Sequence, residues 1–169
     1  MTTAYVLLLL QKVFVDEAEV VLPFTATISS SLRKEHQILQ QLIGCPNIVR
    51  CFGAFTSVRR GGQGNVFNLF LEYASGGSLL DLMRDYGGKI PERDVKCYAR
   101  MILEGLVDIH KKGCIHSDLK PGNILLFPPQ DSIGLNTLKI ADFGLVKQYG
   151  VEDKRMWEYG FRGTAIYVS

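Results

Sequence analysis

The sequence predicts an α+β fold in two lobes. A small, strand-rich lobe runs to about Leu71, and a more helical lobe covers about 75–169. Three observations carry this reading. Runs rich in Val, Leu, Phe and Thr come first and helical periods come later, which separates strands from helices along the chain. The longest amphipathic period, "PERDVKCYARMILEGLVDIHKKG", lies after the strand-like runs. The 169 residues are 47% hydrophobic and 21% charged, a globular composition large enough for a good core.

The elements follow in order. Residues 4–10, "AYVLLLL", read as a buried strand; they lack the basic flank and small-residue cleavage site of a signal peptide and are too short to span a bilayer. Two or three strands are expected within residues 4–28. "SSSLRKEHQILQQLIG" starts with serine caps and places Leu32, Glu35, Ile38, Leu39 and Leu42 at helical spacing, with Gly44 and Pro46 as the stop. "NIVRCFGAFTSV" and "NVFNLFLEYA" read as strands joined by the turn residues "RRGGQGN". "GGSLLDLMRDYGG" is a short helix bounded by glycines. In the long helix Pro91 suits the first turn, and Val95, Tyr98, Ile102, Leu106 and Ile109 form one apolar stripe. A polar loop over 114–123 follows, then a strand "NILLF", a surface connection "PPQDSIGLNT", and a last strand "LKIADFGLV" that runs into a turn at Gly144.

Net charge is +2, too balanced to predict binding to nucleic acid or to an anionic membrane. Cys45, Cys51, Cys97 and Cys114 form no C-x-x-C pair and read as reduced thiols, not as a disulfide frame or a zinc site. With no address in the sequence, the cytoplasm or the nucleus is the expected location.

The chemistry concentrates in "GCIHSDLKPGNILLF". Asp118 and Asn123 share one loop, and Asp142 follows a separate apolar strand. Two carboxylates and an amide are hard oxygen ligands, suited to Mg²⁺ shared with a phosphate. Lys120 adds a point cation for phosphate oxygens. An aspartate beside an acceptor hydroxyl can take its proton as attack proceeds. Positioning, a metal and charge stabilisation are what phosphoryl transfer needs. Taken singly, Asp-Phe-Gly is an ordinary turn and His-x-Asp an ordinary solvated loop. Their joint order is more specific: a helix carrying Glu35, "LEYASGGSL", the long amphipathic helix, "HSDLKPGN", "LLF", "KIADFG" and "GTAIYVS".

That order resembles the eukaryotic protein kinase domain. The stretch "SSSLRKEHQILQQLIGCPNIVRCFG", with "DFGLVK" and "FRGTAIYVS", is most similar to plant mitogen-activated protein kinase kinase kinases. The resemblance implies a bilobal kinase-like fold, ATP and Mg²⁺ as cofactors, and a protein substrate, a downstream kinase in a cascade. It implies Asp118 as catalytic base, Lys120 as the phosphate-contacting lysine, and Asn123 and Asp142 as the metal ligands. Glu35 matches the glutamate that pairs with the ATP-binding lysine, and Leu71 the gatekeeper. Glu72 and Ala74 would bind adenine through their backbones over Leu125 as pocket floor. Thr164 matches the threonine that supports the catalytic aspartate.

The chain also departs from the family pattern. No glycine precedes Gly44, where a phosphate-covering glycine loop is expected, and the glycines of "GGQGN" at 61–65 suit a hairpin instead. No lysine lies between Lys12 and Lys34, where the ATP-anchoring lysine is expected. Without it, phosphoryl transfer is expected to fall below measurement, and Glu35 is expected to turn toward solvent or to find Lys34 or an arginine. Ser117 replaces the arginine that precedes the catalytic aspartate, and residues 145–163 hold no serine or threonine. This predicts a site not switched by Ser/Thr phosphorylation there. The chain stops at Ser169 where the family continues, so it reads as truncated at both ends, with apolar surface of the helix 92–110 left uncovered. A catalytically inactive kinase-like binding module, or a fragment, is the alternative reading.

Overall fold

The structure, a computed structural model, describes residues 12–14, 26–58, 65–129 and 134–149. They divide into two compact units. One lies within Met1–Ile43 and Arg50–Tyr73, the other within Gly44–Val49 and Ala74–Ser169. Among the described residues no helix is long and apolar enough to cross a membrane.

The first unit packs a helix on a sheet. Strand β1 (Lys12–Phe14), helix α1 (Ala26–Gln41), β2 (Cys51–Val58) and β3 (Asn65–Leu71) follow in order. The described strands form a sheet in the order β1-β3-β2, with β1 parallel and β2 antiparallel to β3. Alternation along β3 sends Phe67, Leu69 and Leu71 to the buried face. The helical period of α1 supplies Leu32, Ile38 and Leu39, with Leu42 just past its end, all buried. The pairing slips between Cys51 and Gly53, a bulge at the start of β2. Glu72 closes that end: its N–H donates to Arg50 O at 2.9 Å, and its Oε1 accepts from Arg50 N–H at 2.6 Å.

Two expectations need correcting here. Helix α1 begins at Ala26, so residues 26–28 are helical, not extended, and Ser29 to Ser31 lie inside the helix instead of capping it. No proline or glycine separates Ala26 from Leu32, and Ser and Thr cost only a few tenths of a kcal/mol each in a helix, roughly 0.5. Of the strands expected within 4–28, one is β1 at Lys12–Phe14; residues 4–11 and 15–25 lie outside the described residues, as does the glycine cluster at 61–64.

The second unit is built on α2 (Leu79–Asp85), α3 (Glu92–Lys111), β4 (Cys114–Ile115), β5 (Ile124–Phe127), β6 (Thr137–Ile140) and β7 (Lys147–Gln148). Ser78 caps α2 in a reciprocal box with Asp81. Strands β5 and β6 pair antiparallel, with Leu126 opposite Leu138 and Ile124 opposite Ile140. Each outer edge of this ribbon is extended by a bridge, Ser78 to Leu125 on one side and Ile48 to Ile140 on the other. The first bridge depends on Gly76, where a Cβ would lie 2.8 Å from Leu126 Cβ and O. Ile124, Leu126 and Leu138 make the core with Tyr98 of α3, and Met101, Ile102 and Leu119 pack against it.

The stripe expected on α3 holds for Tyr98 and Ile109, which are buried, but not for Val95, which is exposed. Val95 lies one turn from the helix start, before α3 reaches the strands. Pro91 is the N-cap and not a first-turn residue. The opposite side of α3 exposes Leu103 and Val107, an apolar strip bordered by Pro46, Lys96, Arg100 and Lys111. The loop expected over 114–123 opens with β4, which pairs Cys114 with Gln148 and Ile115 with Lys147.

Candidate functional site

The polar residues of "HSDLKPGN" are gathered by the short pairing of β4 with β7 and by a 3-10 turn over Pro121–Asn123. Proline at the start of that turn fixes its own φ and gives up an N–H the turn does not use. Asn123 N–H donates to Lys120 O at 2.9 Å and closes it.

Asp118 sits at the centre, with its side chain 9% exposed. Its Oδ2 accepts from Lys120 Nζ at 2.8 Å and from Asn123 Nδ2 at 3.1 Å. Asn123 Nδ2 also donates to Asp118 O at 2.9 Å. Only an amide nitrogen can serve two acceptors in this way, so the orientation of Asn123 is determined and its Oδ1 faces away from Asp118. An ion pair this well shielded is held more firmly than a surface pair.

His116, buried behind the loop, is also fixed in its protonation. Nε2 lies 3.0 Å from Ala141 O, which can only accept, and Nδ1 lies 3.3 Å from Asp118 N–H, which can only donate. The ring is therefore neutral with its hydrogen on Nε2. Phe143, fully buried, meets it edge-on at 5.1 Å.

Asp142 reaches the site from β6. Ala141 ties the two loops together: it accepts from His116 and donates its N–H to Asn123 O at 2.9 Å. Asp142 then takes φ 67° and ψ 71°, a left-handed conformation that few non-glycine residues adopt. Such a residue costs on the order of 1–3 kcal/mol and persists only where its surroundings over-determine it. Ser117, beside Asp118, shares the feature at φ 67°. Two strained residues, each flanking or forming part of the same polar cluster, mark it as more than a loop crossing.

The second unit thus brings Asp118, Lys120 and Asn123 together and ties Asp142 to them through Ala141. Leu125 follows on β5, half-buried on the face opposite the core, and Ala74 is half-buried ahead of the Gly76 bridge. Glu35, Leu71 and Glu72 belong to the first unit. Thr164 lies outside the described residues. Glu35 is 0% exposed, so the expectation that it turns to solvent is wrong. It shares the helical face of Leu32 and Leu39, and turning it out would pull those leucines out of the core. Sequence reading gave no role to His116 and passed over Ala141; an alanine signals nothing when its backbone does the work.

The donor set suits Mg²⁺. Asn123 Oδ1 and the Asp142 carboxylate are hard oxygens, and two protein ligands leave room for the water and phosphate that Mg²⁺ retains.

Comparison with known proteins extends this. The family model described as "Protein kinase domain" matches residues 19–169. Mitogen-activated protein kinase kinase kinase 20 of Arabidopsis thaliana is 38% identical over 143 residues, covering 83% of this chain and 40% of that protein. Mitogen-activated protein kinase kinase kinase 3 of the same plant is 37% identical over 116 residues, 69% of this chain and 17% of its own length. Serine/threonine-protein kinase dst4 of Dictyostelium discoideum is 34% identical over 117 residues, 69% of this chain and 22% of that protein. The chain spans well under half the length of the curated relatives it matches.

Proposed function

Because this chain belongs to the protein kinase domain family, we propose that its polar loops form the metal-and-base side of a serine/threonine kinase centre. The reaction moves the γ-phosphate of ATP to a hydroxyl of a protein substrate, a downstream kinase in a cascade. The observation that carries this reading is the grip of Lys120 and Asn123 on Asp118 Oδ2, at 2.8 and 3.1 Å.

In this reading Asp118 is the base. The substrate hydroxyl oxygen forms a bond to the γ-phosphorus while the bond to the β–γ bridging oxygen breaks and ADP leaves. The hydroxyl proton passes to the Asp118 carboxylate. Lys120 and Asn123 both donate to Oδ2 of that carboxylate and so hold it in place, and Lys120 also offers a cation to the transferred phosphoryl oxygens. Asn123 Oδ1 and Asp142 would hold Mg²⁺, which when bound neutralises charge on the β- and γ-phosphates. His116 keeps the two loops in register. Within the second unit, Ala74 would offer a backbone group to the adenine over Leu125 as pocket floor, and Thr164 would support Asp118.

A second reading, a kinase-like module that binds nucleotide or a partner without transfer, is favoured by one observation: no lysine lies between Lys12 and Lys34. Loss of phosphate positioning costs roughly a hundredfold or more in rate. Labelled γ-phosphate transfer separates the two. Labelling of Ser or Thr that disappears in Asp118→Asn establishes the first reading. Mg·ATP binding without labelling establishes the second. The expected outcome is the second pattern for the chain as it stands, and the first for a chimera carrying the lysine-bearing and flanking segments of a full-length relative. A chimera that still fails to label contradicts the proposed centre.

A further inference from the structure

The edge of β6 that β5 does not use carries four main-chain groups, on Leu138 and Ile140. All four are engaged. Leu138 O accepts from Asn47 Nδ2 at 2.9 Å. Ile140 N–H donates to Asn47 O at 2.9 Å, and Ile140 O accepts from Val49 N–H at 2.9 Å. Leu138 N–H lies 3.3 Å from Met101 Sδ. Asn47 therefore satisfies two of the four, one with its side chain and one with its backbone. Its own place is set by α3: a Cβ on Gly105 would lie 2.9 Å from Asn47 O, so only glycine admits this approach.

The consequence falls two residues beyond Ile140. Asp142 holds a positive φ, and such a residue keeps its conformation only when the chain on both sides is fixed. Phe143 and Val146 are buried on one side, and Ala141 is tied to His116 and Asn123. What remains is the register of β6 itself. A short strand paired on one edge slips readily, and a slip of one residue would reverse the direction of every side chain that follows. We infer that Asn47 is a positioning residue for Asp142, acting through β6. The inference rests on the metal role proposed for Asp142.

Two readouts on the full chain test it. The first is amide hydrogen exchange, and the second is Mn²⁺ binding in the presence of ADP, followed by electron paramagnetic resonance. Asn47→Ala should speed exchange at 138–143 by about tenfold or more and weaken Mn²⁺ binding by about tenfold. Ile109→Val trims a fully buried residue of α3 and should lower the melting temperature while leaving both readouts unchanged. Should Asn47→Ala fail to fold, Asn47→Ser, which keeps a short donor, should shift both readouts in the same direction by less. Unchanged exchange and binding in the Asn47 variants would overturn the inference. So would equal shifts in Ile109→Val. If Asp142→Ala leaves Mn²⁺ binding intact, the metal reading fails on its own, and the exchange measurement still decides whether Asn47 holds β6.

Discussion

Asn123 commits its Nδ2 to Asp118 and so leaves an oxygen, not a nitrogen, for a cation. The residue types and spacing around Asp118 were legible in the sequence because they are side-chain chemistry on one short loop. The left-handed backbone of Asp142 and Ser117 was not legible. Neither is glycine, and although aspartate visits positive φ more readily than most residues, nothing in the sequence marks these two positions for it; at Asp142 the packing of Phe143 and the bonds at Ala141 hold it. The cysteines give a test at this scale. Burial pushes the Cys51 thiol up from its ordinary value, and the nearby Glu35 carboxylate adds to this. Burial and Asp108 do the same for Cys45. A raised thiol pKa means less thiolate near pH 8. Iodoacetamide at pH 8 should label the exposed Cys97 first, with Cys51 slower by about tenfold or more, since thiolate fraction and access both fall. The same shift favours the folded state, fully so below the ordinary thiol pKa, and that contribution is lost as pH rises from the ordinary value through the raised folded-state value. Equal labelling of Cys97 and Cys51 in the native chain would contradict the burial of Cys51.

Long elements were readable from their period. Helix α3 shows the 3.6-residue repeat and β6 (TLKI) the alternation that burial on one face requires, while β3 and β5 read as apolar runs. Strands β4 and β7 were not, because two-residue strands have no period, and their partners lie more than thirty residues apart. The start of α1 was misplaced because serines favour caps in general, yet here they lie mid-helix. Gly105 is the informative residue of α3. Replacing a helical glycine by alanine ordinarily stabilises by about 1 kcal/mol. Here the new methyl would meet Asn47 O at 2.9 Å and Ile140 Cδ1 at 3.0 Å. Overpacking of this kind costs roughly 1–3 kcal/mol. Gly105→Ala should therefore lower the melting temperature by a few degrees, roughly 2–4 °C per net kcal/mol. A rise in melting temperature would mean that the segment carrying Asn47 does not rest on α3.

At the scale of the whole molecule, the order of motifs along the chain predicted the family, and the family model covers residues 19–169. No single element could have done so, since each is common in unrelated folds. The return of Gly44–Val49 to the second unit was beyond sequence reading, because it is a matter of backbone bonds to β6 and not of residue pattern. The second unit holds Asp118, Lys120, Asn123 and Asp142, so the proposed binding of nucleotide through a divalent cation falls to the loops of that unit. Ligand binding to the folded state raises the melting temperature, by about 2.7 kcal/mol of stabilisation at a hundredfold excess over Kd. The most direct measurement is the thermal shift of the full chain with ATP, in Mg²⁺ and in EDTA, for the parent and for Asp142→Ala. The expected shift requires Mg²⁺ and vanishes in Asp142→Ala. A shift of equal size in EDTA, or in Asp142→Ala, would contradict the proposed binding.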